Sequence, residues 1–297
     1  MSRRAFLDPI AENGHVIEQQ RHFLHEGFRD VGVNKASVFP GFCAQHDQVM
    51  FKDVDNPVAE IDRDFVLRLC YRVATKEAHA KQDTLAIADV LLLGDAGLPL
   101  PAQVQFQNRM NLFLHGTRLG VQDLMQRKDW LERAIESDAS VPMFEWQSVA
   151  IDGKLPIVGA GAYNCEATFT GEHEPFDECA HKIPLLIHAL IPQRGSWLSV
   201  FGWFRDGAEE RCRRFAESID CLSSERVPTA LARFTMDVSE NFFLRPSWYR
   251  GLDSAAQEDI AERVACGVLA DHSGLCLLDS PAITISGRGS VAARSWT

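Results

Sequence analysis

Phe144-Glu-Trp-Gln-Ser-Val-Ala-Ile151, followed by Asp152-Gly153 and Leu155-Pro-Ile-Val158, is the stretch on which the fold turns. Period-two alternation on both sides of an Asp-Gly pair predicts two antiparallel strands joined by a tight turn. Ile183-Pro-Leu-Leu-Ile-His-Ala-Leu-Ile191 and Trp197-Leu-Ser-Val-Phe-Gly-Trp-Phe204 flank the turn-rich Pro192-Gln-Arg-Gly-Ser196, a second pair of the same kind. Together they predict an antiparallel meander with one face covered.

The covering elements are helices. Upstream, Phe65, Leu69, Val73 and Lys76 recur at helical steps with Arg63, Arg68 and Arg72 between them, which predicts a helix from Ile61 to about Gln82. Asp83 is placed to cap a second helix through Leu91, and Gly97-Leu-Pro-Leu-Pro101 is a break. A longer helical pattern runs from Ala102 to Asp138, with Gly116 and Gly120 as points where it could bend. Downstream, residues 207–219, 224–243 and 254–270 read as helices. The expectation is an α+β fold: a helical N-terminal half packed with an antiparallel β-meander and C-terminal helices. The divisions fall at 1–57, loops and short strands with too little core to fold alone; 58–140, helical; 141–271, sheet plus helices; and 272–297, a loosely ordered tail.

Composition narrows the classes of function. An apolar share of 46% in 297 residues supports a sizeable core, and no window approaches the roughly 20 consecutive apolar residues of a membrane span. The first residues carry two arginines but no apolar run after them, so a cytoplasmic location is expected and a membrane partner is not. Eight scattered cysteines fit reduced thiols, with Cys70, Cys212 and Cys266 at apolar helical positions. A net charge of -11 disfavours broad wrapping of nucleic acid, and Arg211-Cys-Arg-Arg214 is matched by Glu209, Glu210 and Glu217.

The one segment that looks like metal chemistry is Gly41-Phe-Cys-Ala-Gln-His-Asp47. Cys43 and His46 offer a thiolate and an imidazole from a single turn, as a tetrahedral zinc requires. That is half a site. His15, His22 and His25 are the available donors upstream, and Asp47 is a further oxygen ligand or supporting partner. Arg245-Pro-Ser-Trp-Tyr-Arg250 could present Arg245, Trp248 and Arg250 to a ligand or partner, against the alternative of a structural corner. Glu240 and His188 are a further conceivable pair. Gly159-Ala-Gly161 lacks the third glycine and the helix start of a dinucleotide loop.

Lys35-Ala-Ser-Val-Phe-Pro-Gly-Phe-Cys-Ala-Gln-His-Asp47, Ile10-Ala-Glu-Asn-Gly-His-Val16 and Glu240-Asn-Phe-Phe-Leu-Arg-Pro-Ser-Trp248 resemble segments of a widespread group of uncharacterised bacterial proteins. In that group a further Cys and a Ser-His pair lie ahead of the segment matching Ile10 to Val16. This makes the N-terminal part similar to a treble-clef zinc knuckle or a divergent HNH nuclease module. The upstream piece is not in this sequence, so Met1 is expected to lie inside the group's motif and the knuckle to be incomplete. The resemblance implies Cys43 and His46 as zinc ligands and establishes no activity.

Three functions follow as expectations. The first is a binding or regulatory protein with a zinc-knuckle-like N-terminus, recognising a protein or a nucleic-acid end. The second is a degenerate HNH-type metal-dependent nuclease, in bacterial defence, with His15 as the catalytic residue. The third is a structural subunit of a larger complex, which should carry a large exposed apolar patch.

Overall fold

The structure is a computed structural model describing residues 6–22, 25–36, 38–56, 58–173, 182–239, 241–266 and 283–296, the side chains of 20–22, 25–26 and 262–266 excepted. Its centre is an antiparallel sheet of eight strands: β1 (His15–His22), β2 (His25–Gly32), β3 (Phe144–Asp152), β4 (Ile157–Asn164), β5 (Leu185–Gln193), β6 (Ser196–Phe204), β7 (Asn241–Leu244) and β8 (Arg288–Arg294). The order across the sheet is β2-β1-β7-β4-β5-β6-β3-β8. Helices α1 (Ala44–Met50), α2 (Arg63–Ala86), α3 (Ala88–Leu91) and α4 (Leu100–Ile135) precede β3, while α5 (Glu209–Glu217), α6 (Val227–Val238), α7 (Pro246–Arg250) and α8 (Ser254–Cys266) follow β6.

Alternation along β5 explains the layering. Leu185, Ile187, Ala189 and Ile191 pack into one core with Phe65, Leu69 and Val73 of α2 and Leu124 and Leu131 of α4. Leu186 and Leu190 point the other way, into a second core with Phe215 of α5 and Leu231 and Phe234 of α6. Both faces are therefore covered. That accounts for a strand that is buried along its whole length and reads as an almost continuous apolar run.

The expected fold class needs correction. The chain is mixed α+β, but its N-terminal part is strand-rich rather than the start of a helical half: β1 and β2 pair along their whole length, and β1 joins the sheet through β7. The reason is local chemistry. Asn13 and Gly14 both hold positive φ, 51° and 73°, and Glu12 and His15 exchange backbone hydrogen bonds of 2.9 Å, so the pair forms a two-residue hairpin turn that sends Val16 and Ile17 into the core.

The Asp152-Gly153 hairpin also fails. β3 pairs with β6 and β8, and β4 pairs with β5 and β7, so the two strands never meet. Pro156 has no N–H to give a return strand, and its carbonyl instead accepts from Arg245 N at 2.8 Å. The second pair forms as read, closed by Arg194 and Gly195 at φ 52° and 80°.

Two further corrections concern the C-terminal third. The helix expected over 224–243 stops at Val238, and Asn241–Leu244 becomes β7, hydrogen-bonded between β1 and β4. Gly159 and Gly161 permit this. A Cβ on Gly159 would lie 2.5 Å from Thr235 Cγ2 and 2.7 Å from Phe242 Cβ, and one on Gly161 would lie 2.9 Å from Ser239 Cα. These glycines let α6 and β7 approach β4; they serve packing, not a cofactor. In place of a loosely ordered tail, residues 288–294 form the edge strand β8, fixed to β3 and by Arg294 Nε donating to Gln147 at 2.7 Å. The helix of α4 is continuous through Gly116 and Gly120. Asp83 lies inside α2, bonded to His79 at 2.9 Å, instead of capping a new helix.

His188 sits on β5 in the middle of the second core, stacked on Phe201, with its Nε2 3.1 Å from Ser199 Oγ. Glu240, its conceived partner, lies outside the described residues. Burial lowers the His188 pKa from 6.5 to about 3. The unfolded imidazole takes up a proton near pH 6.5 while the folded one stays neutral, so its contribution is complete above pH 6.5 and is lost as pH falls towards 3. Between pH 7 and pH 5 this should cost about 2 kcal/mol of unfolding free energy. Urea titrations at the two pH values should show that loss in the wild type and a clearly smaller one in His188→Gln. An equal loss in both would refute the assignment.

Candidate functional site

α1 begins at Cys43, whose Sγ accepts a hydrogen bond from His46 N at 3.5 Å. The same sulfur lies 3.4 Å from His46 Nδ1. A zinc ion with bonds of about 2.3 Å to sulfur and 2.05 Å to nitrogen at a tetrahedral angle sets those atoms about 3.5 Å apart. The observed separation fits that bite. Both residues are exposed, and α1 buries none of its side chains. The pair is thus preformed and open on its outer side.

A helix of seven residues with nothing buried needs an external anchor. Arg72 of α2 supplies it. Its guanidinium, 2% exposed as a residue, pairs with Asp47 at 2.8 Å and Asp55 at 2.7 Å, and lies 4.2 Å over the Phe51 ring. Phe42 completes the seat against Phe51 and Tyr71, with ring centroids at 4.9 and 5.6 Å. Asp47, read as a possible oxygen ligand, is therefore engaged by Arg72.

The other donors are not brought in. His15 stands exposed at the start of β1 with Nδ1 2.9 Å from Asn13 O, and no group of three His, Cys, Asp or Glu suited to a metal forms among the described residues. His15 thus does not complete the Cys43–His46 pair. The side chains of His22 and His25 lie outside the described residues.

Arg245, Trp248 and Arg250 form a corner that clamps the N-terminal hairpin. Arg245 Nη2 donates to Pro9 O at 3.3 Å, and Arg250 donates to Asp30 at 2.6 Å. Glu12 accepts from Ser247 N at 2.8 Å and from Ser247 Oγ. Trp248 is partly buried against the second core, and Tyr249 meets Phe28 at 4.8 Å. Both guanidinium groups are spent on this chain's own carbonyl and carboxylate groups, so the surface is structural in its present state.

The residues that sequence reasoning missed lie on α2. Arg72 and Glu77 are buried, although the helical reading put Arg72 among the solvent-facing positions. With Lys76 they line a small cavity between α2 and the sheet that Asn241 of β7 also reaches. Lys76 lies 5.4 Å from the Phe39 ring, and burial lowers its pKa against the opposing pull of Glu77, Glu18 and Asp83. The only available signal was positional, since Arg72 and Lys76 fall within the run Leu69, Val73 on the packed side of the helix.

No protein-family model, no curated protein and no solved structure matches this chain. Replacing Arg72 by Met leaves two half-exposed carboxylates without their cation and should cost roughly 2–4 kcal/mol. It should also raise hydrogen exchange across residues 44–50 well before global unfolding. Unchanged exchange there would show that α1 is held by something else.

Proposed function

We propose that this chain is a binding protein whose Cys43–His46 pair is one half of a zinc site, the other ligands being brought by a protein partner. The observation that carries this is the 3.4 Å Sγ–Nδ1 separation on an exposed turn anchored from beneath by Arg72. A thiolate and an imidazole select zinc-like ions, and the missing ligands are those that side chains supply. The net charge of -11 offers a nucleic acid no broad electrostatic footing, which favours a protein partner over a nucleic-acid end. No helix among the described residues is long and apolar enough to cross a membrane. A free exposed thiol such as Cys43 persists in a reducing compartment, and the cytoplasm is where we place the protein.

The nuclease reading draws no support from the position of His15, which has no metal-ligand group around it among the described residues. The reading as a subunit of a larger assembly has a specific observation in its favour: among the described residues, most of the exposed large apolar side chains lie between residues 87 and 125.

Cobalt(II) titration of the full chain tests the half-site. A sulfur-to-metal charge-transfer band should appear, vanish in Cys43→Ser and weaken several-fold in His46→Ala, while both variants unfold within about 1 kcal/mol of wild type because the side chains are exposed. A band that survives in Cys43→Ser, or none in the wild type, would remove the proposal. Incubation with plasmid and single-stranded DNA plus magnesium or manganese should give no cleavage that His15→Ala abolishes; cleavage lost in that variant would restore the nuclease reading.

A further inference from the structure

Thirteen large apolar side chains are exposed among the described residues, and nine of them lie between residues 87 and 125. This is the arm made by α3, the segment that follows it and α4 as far as Met125. Residues 100–109 of α4 bury nothing, and its first buried side chain is Met110. Leu100, Val104, Asn108, Leu112, His115 and Leu119 succeed one another at steps of three or four residues, which lays them along one face of the helix. All six are exposed. The helix packs by a different face, through Met110, Leu114, Thr117 and Leu124.

Two properties of this face say what covers it. The first is charge. Between Asp95 and Asp123 there is no carboxylate, and the cations are Arg109 and Arg118, in a chain whose net charge is -11. Two cations and no carboxylate offer a strongly charged partner little to pair with, and an anionic lipid surface binds helices far richer in Lys and Arg. The second is area and pattern. The four apolar side chains of the row expose the equivalent of more than two whole aliphatic residues, and with the five others on the arm about five, on the scale of the roughly 800 Å² per partner that stable interfaces bury. Asn108 and His115 interrupt the apolar row at seam positions, where a polar side chain is best satisfied by its like on a second helix.

We propose that the arm is a homodimer interface, with α4 of one copy laid along α4 of a second across a two-fold axis. A two-fold interface uses the same patch twice, so one apolar row with two polar breaks is sufficient to define both sides. The pairing is independent of the Cys43–His46 site and needs no metal.

Sedimentation equilibrium of the full chain, in reducing buffer with EDTA, tests this. The wild type should be a dimer at micromolar concentration. Leu112→Asp should weaken the dimer at least a hundredfold, and Leu100→Asp, in a turn that buries no side chain, should do so without lowering Tm. A wild type that stays monomeric to about 100 μM would overturn the proposal. So would a dimer that both variants leave intact, or one that forms only when zinc replaces EDTA. Binding to anionic vesicles by a chain that remains monomeric would identify a lipid surface as the occupant and would equally overturn it.

Discussion

The insertion of four residues, Asn241–Leu244, between β1 and β4 is the constraint on which the rest of the architecture depends. Leu244 faces Ile17 on one side and Ile157 on the other, and Phe243 faces Glu18 and Val158. Through these pairs a polar N-terminal hairpin, too poor in apolar residues to hold a core alone, becomes part of an eight-stranded sheet. Phe242, Phe243 and Leu244 are almost fully buried, so the same residues that complete the ladder also fill the core beneath α6. The two glycines of β4 are the condition for that approach, since side chains there would strike Thr235, Phe242 and Ser239.

The candidate site depends on the same arrangement from the other face. α2 lies across β4 and β5, and Arg72 on it reaches outward to Asp47 and Asp55 while lining a cavity shared with Asn241. A short helix without buried side chains is thus fixed by ion pairs and aromatic contacts and not by a hydrophobic face. This leaves the outer side of α1 free to present Cys43 and His46. Desolvating Arg72 is tolerable because two carboxylates and the Phe51 ring replace its water. The opposite corner, α7 against β1 and β2, uses the same device with Glu12, Asp30, Arg245 and Arg250, which is why those arginines do not form a ligand surface.

What could be read from the sequence was whatever is decided locally. The β5–β6 pair was legible because its turn residues sit between two apolar runs, and α4 because its period persists over ten turns. The Asn13-Gly14 turn was likewise visible, and so was the Cys43–His46 spacing, because a helical turn fixes the distance between residues three apart. What was not legible depends on partners far along the chain. Asn241–Leu244 continues the apolar pattern of α6, and nothing in those residues announces that the helix stops and a strand begins; the decision comes from β1 and β4. Asp152-Gly153 carries a hairpin signal, but Pro156 and the pairing of β3 with β6 override it. β8 has small and polar residues with no apolar row, and it is a strand because the edge of β3 is there to receive it. Arg72 read as a solvent-facing cation, since its two carboxylates lie on a different segment.

Hydrogen exchange on the wild type and on Gly159→Val is the most direct measure of whether β7 holds the N-terminal hairpin in place. The substitution sets methyl groups against Thr235 and Phe242 and should lift β7 from β4. Amides of β1 and β7 should then lose protection together by at least tenfold, while those of β5 and β6 remain slow. Retained protection in β1 with β7 exchanging freely would contradict the account, because it would show that the hairpin is held to the sheet by contacts other than this strand.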